Sequence, residues 1–265
     1  RLTLMSELRH AIEREELELF YQPKVSIQTG VLYGAEALVR WHHPKHGFIS
    51  PDEFIPMAER TRMIKPLTLW VLKKAFQHCA QWREQGKELT ISVNLSAKDL
   101  HDPALPDLIA GVAVSTAIKP EWVILEITEG SIISDPELTL DVIQRLYDMG
   151  YQLSIDDFGT GYSSLAYLKK MPLAELKIDR SFVQDILISE NDDVIVNATI
   201  NLAHNLGFHV TAEGVESEEI MDKLKGYGCD IAQGYYLSKP ASVSGFNEWM
   251  KTSQWQPITS NNDLS

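Results

Sequence analysis

A chain of 265 residues, 44% of them hydrophobic, can bury a sizeable core, and one barrel of about 250 residues fits it as well as two small domains do. Its net charge of −13, with no basic stripe, argues against a nonspecific nucleic-acid groove; an anionic ligand would need cations to mediate its binding. No stretch is long and apolar enough to span a membrane, and Cys79 and Cys229 lie too far apart for a metal motif or a disulfide framework.

Cys79 falls in the apolar row Leu69, Leu72, Phe76, Cys79 and reads as a buried thiol, for which a reducing cytoplasm is the simplest context. The chain begins at Arg1 and shows no signal-peptide pattern, so a domain cut from a longer protein is expected.

In chain order, residues 1–16 read as a lead-in helix or a linker from an upstream domain. Residues 17–26 (LELFYQPKVS) and 30–41 (GVLYGAEALVRW) read as a hairpin around Gln28, Thr29 and Gly30. Ser50-Pro51-Asp52-Glu53 combines an N-cap, a proline at the first helical position and a capping-box glutamate, which starts a helix at Pro51. A second helix is expected over 65–85.

Six strand-like runs follow, LTISVNLS, VILEITE, QLSIDDF, ELKIDRS, HVTAEGV and IAQGYYL, alternating with helices near Asp107, Leu138, Ser164, Val194, Glu219 and Phe246. Leu138, Val142, Leu146 and Met149 suggest one apolar helix face, and Ile195, Ala198, Leu202 and Leu206 another. Gly86, Gly150, Gly207 and Gly228 sit where four helices must stop. Alternating βα units with short apolar strands predict a parallel sheet closed into a barrel, with an open doubly wound sheet as the alternative. Residues 253–265 read as a polar tail.

The densest chemistry lies in residues 151–167, YQLSIDDFGTGYSSLAY. Asp156 and Asp157 end a strand, Gly159 and Gly161 break the backbone, and Ser163 and Ser164 are expected to open a helix. Two adjacent carboxylates repel each other, so one takes up a proton unless a cation sits between them. The other strands also carry polar residues near their C-terminal ends: Asn94, Glu126, Lys177, Glu213 and Gln233, with Glu36 on the hairpin. In a closed barrel those ends share the face where barrel enzymes place their chemistry.

Glu36, Asn94, Glu126, Asp156 and Asp157 form a hard oxygen-donor set that suits Mg²⁺ or Mn²⁺. His42, His43 and His46 lie beyond the strand beside Pro44 and Gly47 and are the weaker metal group. No nucleophile elbow, Walker loop or dinucleotide fingerprint appears, which leaves metal-assisted hydrolysis.

EALVRW (36–41), NLS (94–96), EITE (126–129), DDFGTGYSSL (156–165), KID (177–179), EGVE (213–216) and QGYYLSKP (233–240) together resemble the EAL-domain cyclic-di-GMP phosphodiesterases, over about residues 17–249. The resemblance implies a modified TIM (β/α)8 barrel with one antiparallel strand in an N-terminal hairpin, occupying about 17–252. It implies hydrolysis of cyclic di-GMP to linear pGpG with Mg²⁺ or Mn²⁺, two ions in all, with Ca²⁺ inhibitory.

By motif, Glu36, Asn94, Glu126 and Asp156 would hold one metal, and Asp156 and Asp157 would help hold the second, supported by Glu216. Lys177 and Glu213 would position or deprotonate the attacking water. Arg40, Leu38 and Gln233 would contact substrate, with Gln233 completing the polar rim, and Glu129 would anchor the DDFGTG loop, with Thr160 or Ser163 as hydrogen-bond partners. The resemblance further implies a homodimer and a cytoplasmic domain downstream of a sensory or GGDEF-type domain, touching neither nucleic-acid polymer nor membrane. The alternative is a receptor that binds cyclic di-GMP without cutting it.

Overall fold

Alternation with a period of two gives each barrel strand a face toward the lumen and a face toward the helices. The computed structural model describes residues 2–14, 16–133, 135–160 and 165–260. Its strands are β1 (Leu17–Ser26), β2 (Leu32–His43), β3 (Gly47–Ile49), β4 (Thr90–Leu95), β5 (Val123–Thr128), β6 (Gln152–Phe158), β7 (Glu175–Ile178), β8 (His209–Ala212), β9 (Ile231–Ala232) and β10 (Ala241–Ser242).

Eight of them close in the order β1-β2-β4-β5-β6-β7-β8-β9 and back to β1. β1 runs antiparallel to both its barrel neighbours, β2 and β9, and the six remaining pairings are parallel. This is the modified TIM barrel that the sequence predicts. β3 and β10 extend β2 and β1 outside it.

The helices are α1 (Leu2–Glu13), α2 (Pro51–Arg60), α3 (Ile64–Glu84), α4 (Ala97–Leu100), α5 (Leu105–Thr116), α6 (Glu129–Ile133), α7 (Pro136–Asp148), α8 (Leu165–Leu168), α9 (Arg180–Val183), α10 (Glu190–Asn205), α11 (Glu218–Gly226) and α12 (Val243–Thr252). Seven of their starts are fixed by side chains that accept a backbone N–H of the first turn: Ser50, Ser96, Asp135, Asp179, Ser189, Ser217 and Ser242. The core lies between barrel and helices. Odd-numbered strand residues such as Ile91, Val93, Leu125, Ile127, Leu153 and Ile155, with Leu176 of β7, are buried there against the helix stripes.

Gly86, Gly150, Gly207 and Gly228 all stand at positive φ just past α3, α7, α10 and α11, as expected. Ser50 caps α2 by accepting from Asp52 N–H, the proline sits at the first turn, and α3 starts one residue earlier than predicted. The buried face of α7 is Thr139, Val142, Ile143 and Leu146, about one residue round from the predicted row.

For α10 the predicted face was the wrong one: Val196, Ile200 and Ala203 are buried, while Ile195 is 40% exposed and Ala198 is exposed too. Both rows have helical spacing, and only packing against the barrel separates them. The run IAQGYYL forms just two strand residues, because the chain turns at Gly234 to lie against Val215. Ser163 and Ser164 lie outside the described residues.

Residues 253–260 run under the barrel, where Leu32 N–H donates to Gln256 O, Glu88 N–H to Ile258 O and Ser260 N–H to Gly86 O. Leu8 and Ala11 of α1 are buried. Among the described residues no helix is long and apolar enough to cross a membrane.

Candidate metal-binding active site

The lumen-facing residues form two layers, and the upper one, at the C-terminal ends of the parallel strands, gathers the predicted site residues. Glu36 Oε1 accepts from Asn94 Nδ2 at 2.7 Å, and its Oε2 accepts from Gln233 Nε2 at 2.6 Å. The Lys177 ammonium lies 2.7 Å from Glu126 Oε2, 2.9 Å from Glu213 Oε1, 3.3 Å from Glu36 Oε2 and 3.4 Å from Asp156 Oδ1. Four strand ends and β2 thus meet at one buried cation.

Strand alternation alone would turn Asp156 and Asp157 to opposite faces. The pairing of β6 with β7 shifts register between Ile155 and Phe158, and Asp157 takes φ +55°, uncommon for a residue other than glycine. The turn is held locally: Asp157 N–H donates to Asp156 Oδ1 at 2.8 Å, and Thr160 Oγ1 donates to Asp157 O at 2.8 Å. The kink puts both carboxylates to use in one place. Asp156, Asp157 and Glu213 each bring an oxygen within 4.8 Å of the others, as do Glu36, Glu126 and Asp156, so the two groups share Asp156.

The charges are unevenly balanced. Burial, with the charge of Glu36, pushes Glu126 up to about 8, and burial with Asp156 and Asp179 pushes Asp157 up to about 6. Burial also raises Glu213 well above the usual carboxylate range, Lys177 notwithstanding. Burial would raise Glu36 too, but Lys177 and the hydrogen bonds from Gln233 and Asn94 hold it low. Burial would lower Lys177, but Asp156, Glu126, Glu213 and Glu36 hold it well above the usual lysine value, so it stays an ammonium.

Carboxylates crowded until some retain protons, with all-oxygen donors in two groups sharing one residue, fit hard divalent cations, which would replace those protons. Glu7, His43 and His46 form a third group of donors within 4.8 Å. There His43 Nδ1 accepts from the backbone N–H of Lys45 and His46, which puts the ring proton on Nε2, facing Glu7 Oε2 at 3.5 Å. His43 therefore offers a proton at that point rather than a lone pair.

Above the acids lies a hollow of about 710 Å³ whose wall includes Glu36, Leu38, Arg40, Glu213, Gln233 and Tyr235, and a second of about 500 Å³ meets it at Leu38, Arg40 and Asp157. Arg40 stacks over Phe20, with the guanidinium carbon 5.6 Å from the ring centroid, and Trp41 beside it is buried. Glu216 lines the larger hollow and accepts from Gln184 Nε2 at 2.8 Å, apart from both acid groups. Glu129 is buried at the start of α6, directly after β5.

Gln22, which the sequence reading passed over, faces Glu36 across the hairpin and accepts from Gln233 Nε2 at 3.0 Å. Its parity with Glu36 in paired strands was the available signal.

The sequence profile of the EAL domain matches residues 5–240. The bifunctional diguanylate cyclase/cyclic di-GMP phosphodiesterase MucR of Pseudomonas aeruginosa is 42% identical over 241 residues, covering 91% of this chain and 35% of MucR. The cyclic di-GMP phosphodiesterase NbdA of the same organism is 39% identical over 251 residues, covering 94% of this chain and 32% of NbdA. This chain thus spans about a third of the length of these relatives. A solved structure of the MucR phosphodiesterase in complex with c-di-GMP superposes with a TM-score of 0.88 at 40% identity, covering 92% of this chain and 99% of that one.

Proposed function

The chain belongs to the EAL domain family, and from that premise we propose that it is a metal-dependent phosphodiesterase that hydrolyses cyclic di-GMP to linear pGpG. The observation that carries the reading is the pair of oxygen clusters joined at Asp156, set beneath a hollow large enough for a small-molecule ligand. Glu36, Asn94, Glu126 and Asp156 would hold one ion, and Asp156 and Asp157 the other. Bound ions would supply positive charge to an anionic phosphodiester and ease deprotonation of a water.

The chain's own residues divide the remaining work. Glu213 carries a raised pKa at the mouth and is suited to take the proton of the attacking water at its carboxylate. Lys177 keeps its proton and orients Glu213 through the 2.9 Å contact with Oε1. Arg40, at the junction of the two hollows, offers a guanidinium to a phosphate, while Leu38 and Gln233 line the larger hollow that would hold the ligand. Glu216, with Gln184, supports the rim near the second ion, and Glu129 braces the loop after Asp157 from the preceding strand unit.

Mg²⁺ or Mn²⁺ should support turnover. Ca²⁺ should occupy the donors without supporting it, because it prefers oxygens at about 2.3–2.6 Å rather than the about 2.0–2.1 Å of Mg²⁺.

We take 17–252 as the catalytic barrel, in the cytoplasm, with 1–16 leading from a sensory or GGDEF-type domain; the short span of the relatives that this chain covers supports such an arrangement. A second copy of the chain is the proposed partner, and exposed Ile188, Val194 and Ile195 around the start of α10 offer it apolar surface. The test is to incubate the purified chain with cyclic di-GMP and Mg²⁺ or Mn²⁺ and to separate the products. Accumulation of pGpG is expected; binding of intact cyclic di-GMP with no cleavage under either ion would make the chain a receptor.

A further inference from the structure

One layer below the carboxylates, the barrel lumen holds a lysine with no exposed surface. Lys24 of β1 donates to Ser92 Oγ at 3.0 Å and to Glu175 Oε1 and Oε2 at 2.9 and 3.0 Å. Glu175 also accepts from Ser154 Oγ at 2.9 Å and from Thr211 Oγ1 at 3.0 Å. One ion pair therefore joins β1, β4, β6, β7 and β8 across the lumen.

The same ammonium reaches the layer above. It stands 3.6 Å from Glu126 Oε1, a buried oxygen that accepts no hydrogen bond among the described residues, while Oε2 is taken by Lys177. Glu126 is thus held between two cations, one from β7 at its own level and one from β1 beneath.

Stability alone is a poor reason for this lysine. A fully buried Lys–Glu pair loses hydration that the pairing repays only in part, and apolar residues of similar volume often serve a core as well or better. The geometry of Glu126 supplies another reason. A carboxylate that ligates an ion binds well when its orientation is fixed beforehand, and partners behind a ligand commonly change metal affinity by about 10–100-fold.

We propose that Lys24 is a positioning residue for the metal-binding carboxylates: its ammonium charge, 3.6 Å from Oε1, fixes Glu126 from beneath. The proposal deepens the metal-dependent reading and rests on it.

The experiment measures Mn²⁺ binding to the metal-free chain by calorimetry, without substrate, in wild type, K24M/E175Q and E175Q. The double substitution removes both charges together, so no unpaired buried ion is left, and the amide that replaces the Glu175 carboxylate can still bond Ser154 and Thr211. Thermal unfolding without metal checks the fold. Mn²⁺ should bind the double variant about 10-fold or more weakly than wild type, and E175Q, which keeps the Lys24 charge, within about threefold of it.

Equal affinity in wild type and double variant would make the pair a structural plug only. Tighter binding in the double variant would make Lys24 a repelling charge, and an equal loss in E175Q would assign the effect to the plug. Any of the three overturns the proposal.

Should the double variant not fold, the wild-type ammonium resonance of Lys24 carries the test. It should shift when Mg²⁺ is added, and an unchanged resonance under Mg²⁺ that binds elsewhere in the same titration contradicts the proposal. Failure of wild type itself to bind Mn²⁺ or Mg²⁺ would instead sink the metal-dependent reading.

Discussion

The two layers of the lumen are built from the same strands by the same alternation, yet their electrostatics differ. In the lower layer Lys24 meets Glu175, and Ser92, Ser154 and Thr211 supply the remaining hydrogen bonds. The upper layer sets Glu36, Glu126, Asp156 and Glu213 around Lys177, with Asp157 alongside, so negative charge exceeds positive. A layer that balances itself closes the barrel; one that does not is ready for a cation from outside.

The largest effect should come from depriving the upper layer of the carboxylate that joins Asn94, Gln233 and Lys177. Glu36→Ala should reduce hydrolysis in Mg²⁺ below detection while circular dichroism and cooperative unfolding persist, since the change removes little apolar surface. A folded variant with near wild-type turnover would erase the distinction between the layers. Glu213→Gln keeps shape but removes the proposed base, so turnover should fall by roughly two to four orders of magnitude with cyclic di-GMP binding retained. Binding lost in parallel with turnover would assign Glu213 to recognition instead.

These substitutions also mark how far the sequence could be read. Asn94, Glu126, Asp156, Lys177, Glu213 and Gln233 were visible because each falls in or just after an apolar run at the same end of its strand, and closure brings such ends together. The kink at Asp157 was not visible, because a left-handed aspartate depends on a register shift against β7. Lys24 and Glu175 escaped for a related reason: a single charge in a strand reads as a solvent-facing position until its partner, 151 residues away, is placed beside it. The face of α10 was misread because two apolar rows compete and only the barrel chooses between them.

A smaller effect should follow from separating two upper-layer residues without touching either. A Cβ at Gly234 would collide with the backbone of Val215, whose N–H donates to Gln233 O. Gly234→Ala should therefore spread Glu213 from Gln233 and lower kcat by up to about 10²-fold in steady-state assays. Unchanged kcat would show that the two loops move together.

The smallest effect is on stability, and pH sharpens it. In the metal-free chain Asp157 and Glu126 have folded pKa values raised by burial to about 6 and about 8, above their unfolded values. The folded state then holds protons that the unfolded state releases, so these two groups cost stability increasingly as pH rises from about 4 to about 8. Added Mg²⁺ displaces the protons, and the gain in Tm on adding it should grow between about pH 5 and about pH 8. A gain independent of pH would mean that Mg²⁺ binds away from these carboxylates.

The upper layer alone should take cations from outside. Anomalous diffraction at the manganese edge from crystals grown with Mn²⁺ tests it most directly. Two peaks about 3.5–4 Å apart are expected, one among Glu36, Asn94, Glu126 and Asp156 and one beside Asp156 and Asp157, with none near Lys24 and Glu175. Mn²⁺ found only at Glu7, His43 and His46, or no peak at the strand ends at saturating Mn²⁺, would contradict it.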